Sequence, residues 1–131
     1  MGQPIATQTA GGICLAVPDV CLTPTAAGPV PVPYPNMGDL GQAVKVSTSV
    51  TIGGKAVILA DSEIPTTTGD EAGSVGGVSS GMIKGKVTFT TSSTKVKVEG
   101  KGVVRLGDTT QQNNGNAVGT VLYGEPMVLG G

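Results

Sequence analysis

Residues 11–36, GGICLAVPDVCLTPTAAGPVPVPYPN, constrain this chain more than any other stretch. They hold both cysteines, one of the two tyrosines and six of the nine prolines, at positions 18, 24, 29, 31, 33 and 35. Proline fixes φ and removes a backbone donor, so PVPVPYPN is neither a helix nor the interior of a sheet. Each residue before a proline is also driven toward extended geometry. The segment therefore runs as a stiff, polyproline-like strap. With Val30, Val32 and Tyr34 set between prolines, it is apolar enough to lie against a body, which the rest of the chain supplies as short β-type segments.

At 131 residues the chain is sized for one domain. It divides into a loosely held lead-in over 1–10, the strap over 11–36 and a β body over 37–131. The core has to be built from Val, Ile, Leu and Ala, because there is no Trp, one Phe (Phe89) and two Tyr (Tyr34 and Tyr123). The 22 glycines, many Thr and few helix formers favour strands and turns. Disorder is the alternative reading of so much Gly and Pro. Against it, Val and Ile recur in short patterned runs, of which disordered tracts are depleted.

The net charge of −1 and the lack of a basic run argue against nucleic acid as a partner, and base-stacking aromatics are nearly absent. No apolar run approaches the ~20 residues that span a bilayer. The start, MGQPIATQTAGG, lacks the positive n-region and apolar centre of a signal peptide, and Ala6 stands where a myristoylation signal has Ser or Thr. The expected location is the cytoplasm unless a machine exports the chain.

Along the body, residues 43–52 (AVKVSTSVTI) alternate as a half-buried strand does, and KAVILA resumes after Gly53 and Gly54. Residues 61–81 are turn formers, a length that marks either a functional loop or hidden short strands. Residues 82–90 alternate again, 95–106 read as a hairpin around Glu99 and Gly100, and Asn114 with Gly115 is a turn signal. Residues 121–129 read as a last apolar strand. VTIGGKAVILADS (50–62) aligns with VKVEGKGVVRLGD (96–108) at an offset of 46, and GMIKGKVTF (81–89) is a weaker third echo. Such β-turn-β units bury their apolar faces only against copies of themselves, which predicts a small assembly with pseudo-threefold repeats. A coincidence of Val/Gly/Lys composition is the other reading.

Chemistry is sparse. Without histidine, Ser-His-Asp and Cys-His arrangements are excluded, and no phosphate-binding Gly-rich loop has the required spacing. Asp70 and Glu71 read as a solvated loop, since sequence neighbours on a strand point to opposite faces. Asp108 is expected to order the turn at Thr109 and Thr110, and Lys55 and Lys101 to be exposed turn residues. Cys14 and Cys21 leave three readings open. They are small buried hydrophobes, a disulfide that a cytosolic chain would not be expected to carry, or two ligands of a zinc site completed by carboxylates or another chain. The sequence predicts no enzyme.

Six motifs resemble PAAR-like proteins, relatives of the tips of type VI secretion spikes: GGICLA-x-PDVC-x-TP at 11–24, P-x-PYPN at 31–36, IGGK at 52–55, TGDEAGSVGG at 68–77, SGMIKGK at 80–86 and VEGKGVVR at 98–105. They run in order over most of residues 11–110. The resemblance implies a conical or β-prism-like all-β domain that caps a trimeric VgrG-type spike, one copy per trimer, and sharpens it for envelope puncture and effector delivery. It implies a chain made in the cytoplasm and carried outside or into a target cell by the machine. The alternative is an adaptor that docks a separate toxin. Relatives hold a zinc through histidines and a cysteine, but Gln112 stands where their Thr-Thr-x-His-Asn segment has histidine. No cofactor is therefore expected, and zinc only without histidine ligands, with Cys14 and Cys21 as candidates. The relatives' toxin extension has no counterpart in the sequence, which reads as a stand-alone tip with any effector held non-covalently. The spike-facing residues are not legible.

Overall fold

A computed structural model describes residues 3–9 and 11–130, with side chains described through Gly124. Among these residues the chain forms strands β1 (Gln3–Ile5), β2 (Ile13–Thr23), β3 (Val30–Asp39), β4 (Thr51–Ile52), β5 (Lys55–Ala56), β6 (Glu63–Ile64) and β7 (Gly76–Gly77). It continues with β8 (Val87–Phe89), β9 (Lys97–Val98), β10 (Lys101–Gly102), β11 (Thr109–Gln112), β12 (Ala117–Val121) and β13 (Glu125–Gly130). One 3₁₀ turn, Leu40–Gln42, interrupts an all-β architecture. None of its helices is long and apolar enough to cross a membrane.

The main sheet is antiparallel, in the order β3-β2-β12-β11-β8-β6, with β7 also paired to β2. The strap expectation is corrected for its first half, which is the interior strand β2 paired with β3, β12 and β7; only the PVPVPYPN half is the sheet's edge strand. Pro31, Pro33 and Pro35 share one parity of β3 with Met37, whose N–H and C=O turn away from β2 to pair with Thr68. Prolines at alternate positions thus place their missing donors on the open edge and leave the β2 ladder intact, and they blunt that edge against stray pairing. β2 carries a bulge between Ala16 and Asp19. One extra residue restores the inward parity, so Cys14, Ala16, Asp19 and Cys21 are all buried.

The repeat at 50–62 and 96–108 shares its turns and several of its hydrogen bonds. Both copies turn through paired positive-φ residues, Gly53 and Gly54 in one, Glu99 and Gly100 in the other, as tight hairpins require. Ser47 N–H donates to Val57 C=O at 3.0 Å, and Ser93 N–H to Val103 C=O at 2.8 Å. Leu59 N–H is capped by Ser62 Oγ and Arg105 N–H by Asp108 Oδ2.

A third segment completes the pattern, and it is residues 5–7 rather than the predicted echo at 81–89, which supplies β8 instead. Ile58 N–H donates to Ala6 C=O at 3.1 Å, Val104 N–H to Ile58 C=O at 2.9 Å, and Ala6 N–H to Val104 C=O at 2.8 Å, closing a ring. Two residues along each segment, Gln8, Ala60 and Leu106 donate to Ala56, Gly102 and Pro4, in the opposite cyclic sense. β4 pairs β5 and β9 pairs β10, while in the third unit β13 pairs β1. The strand that a turn delivers in two units comes from the far end of the chain in the third.

The lead-in is accordingly not loosely held where it meets the ring: Ile5, Ala6 and Thr7 are buried. Ala6, Ile58 and Val104 join a core with Cys14, Leu40, Ile64, Val87, Phe89 and Val121. Ile5, Val57, Leu59 and Val103 form a second, smaller core. Three strand expectations are corrected. Residues 43–50 are irregular, with Lys45 at φ 58°; Lys84 at φ 55° delays β8 to Val87; and residues 121–129 split into β12 and β13 across a break at 122–124. The 61–81 stretch hides β6 and β7.

Candidate functional site

The inward side of β2 changes character along its length. Cys14 lies in the apolar core, its Sγ 3.7 Å from Gly38 C=O, and burial pushes its thiol up to about 12. Asp19 and Cys21, beyond the bulge, enter a buried polar cluster with Asn36 of β3, Asp70, Gln112 and Asn113. The two cysteines are therefore separate free thiols, and the disulfide reading is corrected.

Asp70 reaches the cluster from the glycine-rich segment 68–77. Its expected place in a solvated loop is overturned, because the backbone tucks it inward while Glu71 stays exposed and accepts from Gly69 N–H at 2.8 Å. The glycines permit this approach. A Cβ on Gly73 would lie 2.3 Å from Cys21 Cβ.

Among the described residues, the donors to the acids are neutral amides and one thiol. Asp70 accepts from Lys84 N–H at 3.1 Å and Asn36 Nδ2 at 3.2 Å. Asp19 Oδ1 accepts from Asn113 Nδ2 at 3.3 Å, from Asn116 Nδ2 at 2.5 Å and from Cys21 Sγ at 3.6 Å. Asp19 Oδ2 is buried without a hydrogen-bond partner. Burial, then the Asp19 carboxylate beside it, pushes Asp70 up to about 7. Burial, then the charges of Asp19 and Asp70, pushes the Cys21 thiol up to about 12.

Gln112, at the position where relatives carry histidine, spends its amide inside the protein. Nε2 donates to Asn36 C=O at 2.8 Å and Asn36 Oδ1 at 3.0 Å, and Oε1 accepts from Thr110 Oγ1 at 2.7 Å. A histidine-ligated zinc does not fit these residues. Asp108 serves a different turn from the one expected: it accepts from Arg105 N–H, Nε and Nη2, with Nη2 at 2.8 Å, and from Thr91 Oγ1. Lys101 is exposed and paired with Asp61 at 3.1 Å; Lys55 is half-buried. Sequence reasoning missed Asp19, Asn36, Asn113 and Asn116, whose polar types within otherwise apolar or turn-like runs were the available signal.

Residues 12–119 match the model of the toxin PAAR-like domain. The chain belongs to that family. This PAAR-like domain is 41% identical over 123 residues to the DNase toxin Tse7 of Pseudomonas aeruginosa, covering 88% of this chain and 32% of the toxin. No solved structure matches it. The PAAR-like chain thus spans about a third of the length of the curated relative it matches. The expectation that no enzyme is involved is corrected by that relative, which is named a DNase. The missing histidine bears only on the aligned stretch, and an activity carried by the rest of a longer protein leaves no mark on a shared module.

Proposed function

We propose that this PAAR-like domain docks as a tip on a trimeric VgrG-type spike of a type VI or related contractile injection system, and that a DNase-type toxin travels with it. The hydrogen-bond ring through Ala6, Ile58 and Val104 carries this reading. Three identical chains present three identical edges, and a single chain meets them equivalently only if it offers three similar segments of its own. We read the ring units as that pseudo-threefold platform. The exposed prolines of β3 suit a projecting body that must not recruit strands. Delivery by the machine then takes the domain out of the cell in which it is made.

Toxin cargo is supported by the relative named a DNase, of which this module is 32%. The test is light scattering on the complex formed when the domain is co-expressed with the spike protein of the same genome. A mass of one domain per three spike chains is expected. A stable complex with a toxin and none with any spike would replace the tip reading by that of an adaptor.

A further inference from the structure

We propose that Asp19, Cys21 and Asp70 form a binding site for one thiophilic divalent cation, zinc by its chemistry. One ligand atom from each lies within 4.8 Å of the others, and all three residues are fully buried. Two acids and a thiol are gathered there, and among the described residues no cationic side chain pairs with them. The ion pairs described in this protein involve Asp61, Glu63 and Asp108 instead. Buried charge of one sign needs a counter-charge.

The second observation is independent of the clustering. Asp19 Oδ2, on a residue with no exposed surface, has no hydrogen-bond partner. Buried carboxylate oxygens are almost always satisfied, so Oδ2 is left for either a proton held against the neighbouring Asp70 carboxyl or a cation bound between the two acids. Its sister oxygen Oδ1 is 3.6 Å from Cys21 Sγ. Zinc bonds of about 2.3 Å to sulfur and about 2.0 Å to oxygen, set at the tetrahedral angle, put the two ligand atoms about 3.5 Å apart.

The donor set selects the metal. A thiolate favours zinc over magnesium or calcium, which take oxygen. Asp19 and Cys21 sit two apart on β2 and share its inward face, so the sheet holds two ligands rigidly, while Asp70 arrives from 68–77. The cation would tie that segment to the strand. Asn113 and Asn116 then act in the outer shell, orienting Asp19 through Oδ1. Oδ2 binds the cation beside Cys21 Sγ and an Asp70 oxygen, and the fourth position falls to a water. Binding releases the thiol proton, and a site this enclosed loads as the chain folds.

The test uses the tag-free chain, refolded from guanidinium with zinc, with cobalt(II), or with chelator alone. One zinc per chain by elemental analysis is expected, together with a raised melting temperature. The cobalt form should show a thiolate-to-metal charge-transfer band and intense tetrahedral d–d bands. Cys21→Ala should abolish the charge-transfer band and weaken zinc binding more than about 100-fold, and Asn116→Ala should weaken it about 10-fold. Cys14→Ala should keep the spectrum. Refolded wild type that takes up neither metal overturns the proposal and leaves Asp19 and Asp70 sharing one proton. A cobalt spectrum unchanged in Cys21→Ala, or lost in Cys14→Ala, overturns it as well.

Discussion

The hydrogen-bond ring and the cluster around Asp19 are both buried, yet they meet the cost of burying polar atoms in opposite ways. In the ring the backbone satisfies itself, segment to segment, and the side chains are left to be almost purely apolar: Ala6, Ile58 and Val104 toward one core, Val57, Leu59 and Val103 toward the other. In the cluster side chains do the bonding, with Asn36, Gln112, Asn113 and Asn116 each serving more than one partner. The first region depends on volume and the second on completeness, because a half-satisfied polar network is worse than none. The ring fails by cavity; the cluster fails by orphaned groups.

Four changes test that contrast. Leu59→Ala opens a cavity in the smaller core and should cost about 3 kcal/mol in urea unfolding; a loss under about 1 kcal/mol would mean that the ring region is not close-packed. Gly73→Ala forces a methyl against Cys21 and should destabilise by about 2–3 kcal/mol through overpacking. A neutral result there would show that the 68–77 segment is free to retreat, which would loosen the whole cluster. Gln112→Leu strands Thr110 Oγ1 and Asn36 Oδ1 and should cost about 2 kcal/mol despite the gain in hydrophobicity. Stabilisation by that substitution would place the cluster in the same class as the ring.

The smallest effect belongs to an exposed contact beside the ring. Glu99 Oε2 accepts from Ser49 N–H and Thr48 N–H, each at 2.8 Å, and these bonds, Ser49's first, hold its carboxyl down to about 2 from an ordinary 4.5. A depressed folded value means that the contribution is full above about 4.5 and disappears as the pH falls through about 2. Melting temperature followed over that window should decline less in Glu99→Gln than in wild type. Parallel curves would show that the hairpin tip and residues 48–49 part before global unfolding.

Local chemistry made much of this legible. Gly53 with Gly54 and Glu99 with Gly100 announce tight turns wherever they stand, and a run of alternating prolines allows only extended edge geometry. The repeat at an offset of 46 correctly pairs residues 50–62 with 96–108. The third ring segment was not legible: PIATQ carries none of the Gly-Lys turn that marks the other two, because β13 replaces the turn-delivered strand. Asp70 was misread for a related reason. Thr-Gly-Asp-Glu looks like any solvated loop, and only the approach of Gly73 to Cys21 carries the acid inside.

By itself the sequence determined an all-β chain, a stiff proline edge, two matched hairpins and a set of side chains without histidine. These follow from torsional freedom, side-chain type and short-range period, which neighbours along the chain fix. The tertiary structure alone decided that residues 5–7 close the ring, that one bulge turns Asp19 and Cys21 inward together, and that Cys14 and Cys21 have different surroundings. Each of these rests on contacts between residues far apart in sequence. A one-residue change of register, or the approach of a distant backbone, sets such contacts without leaving a local signature.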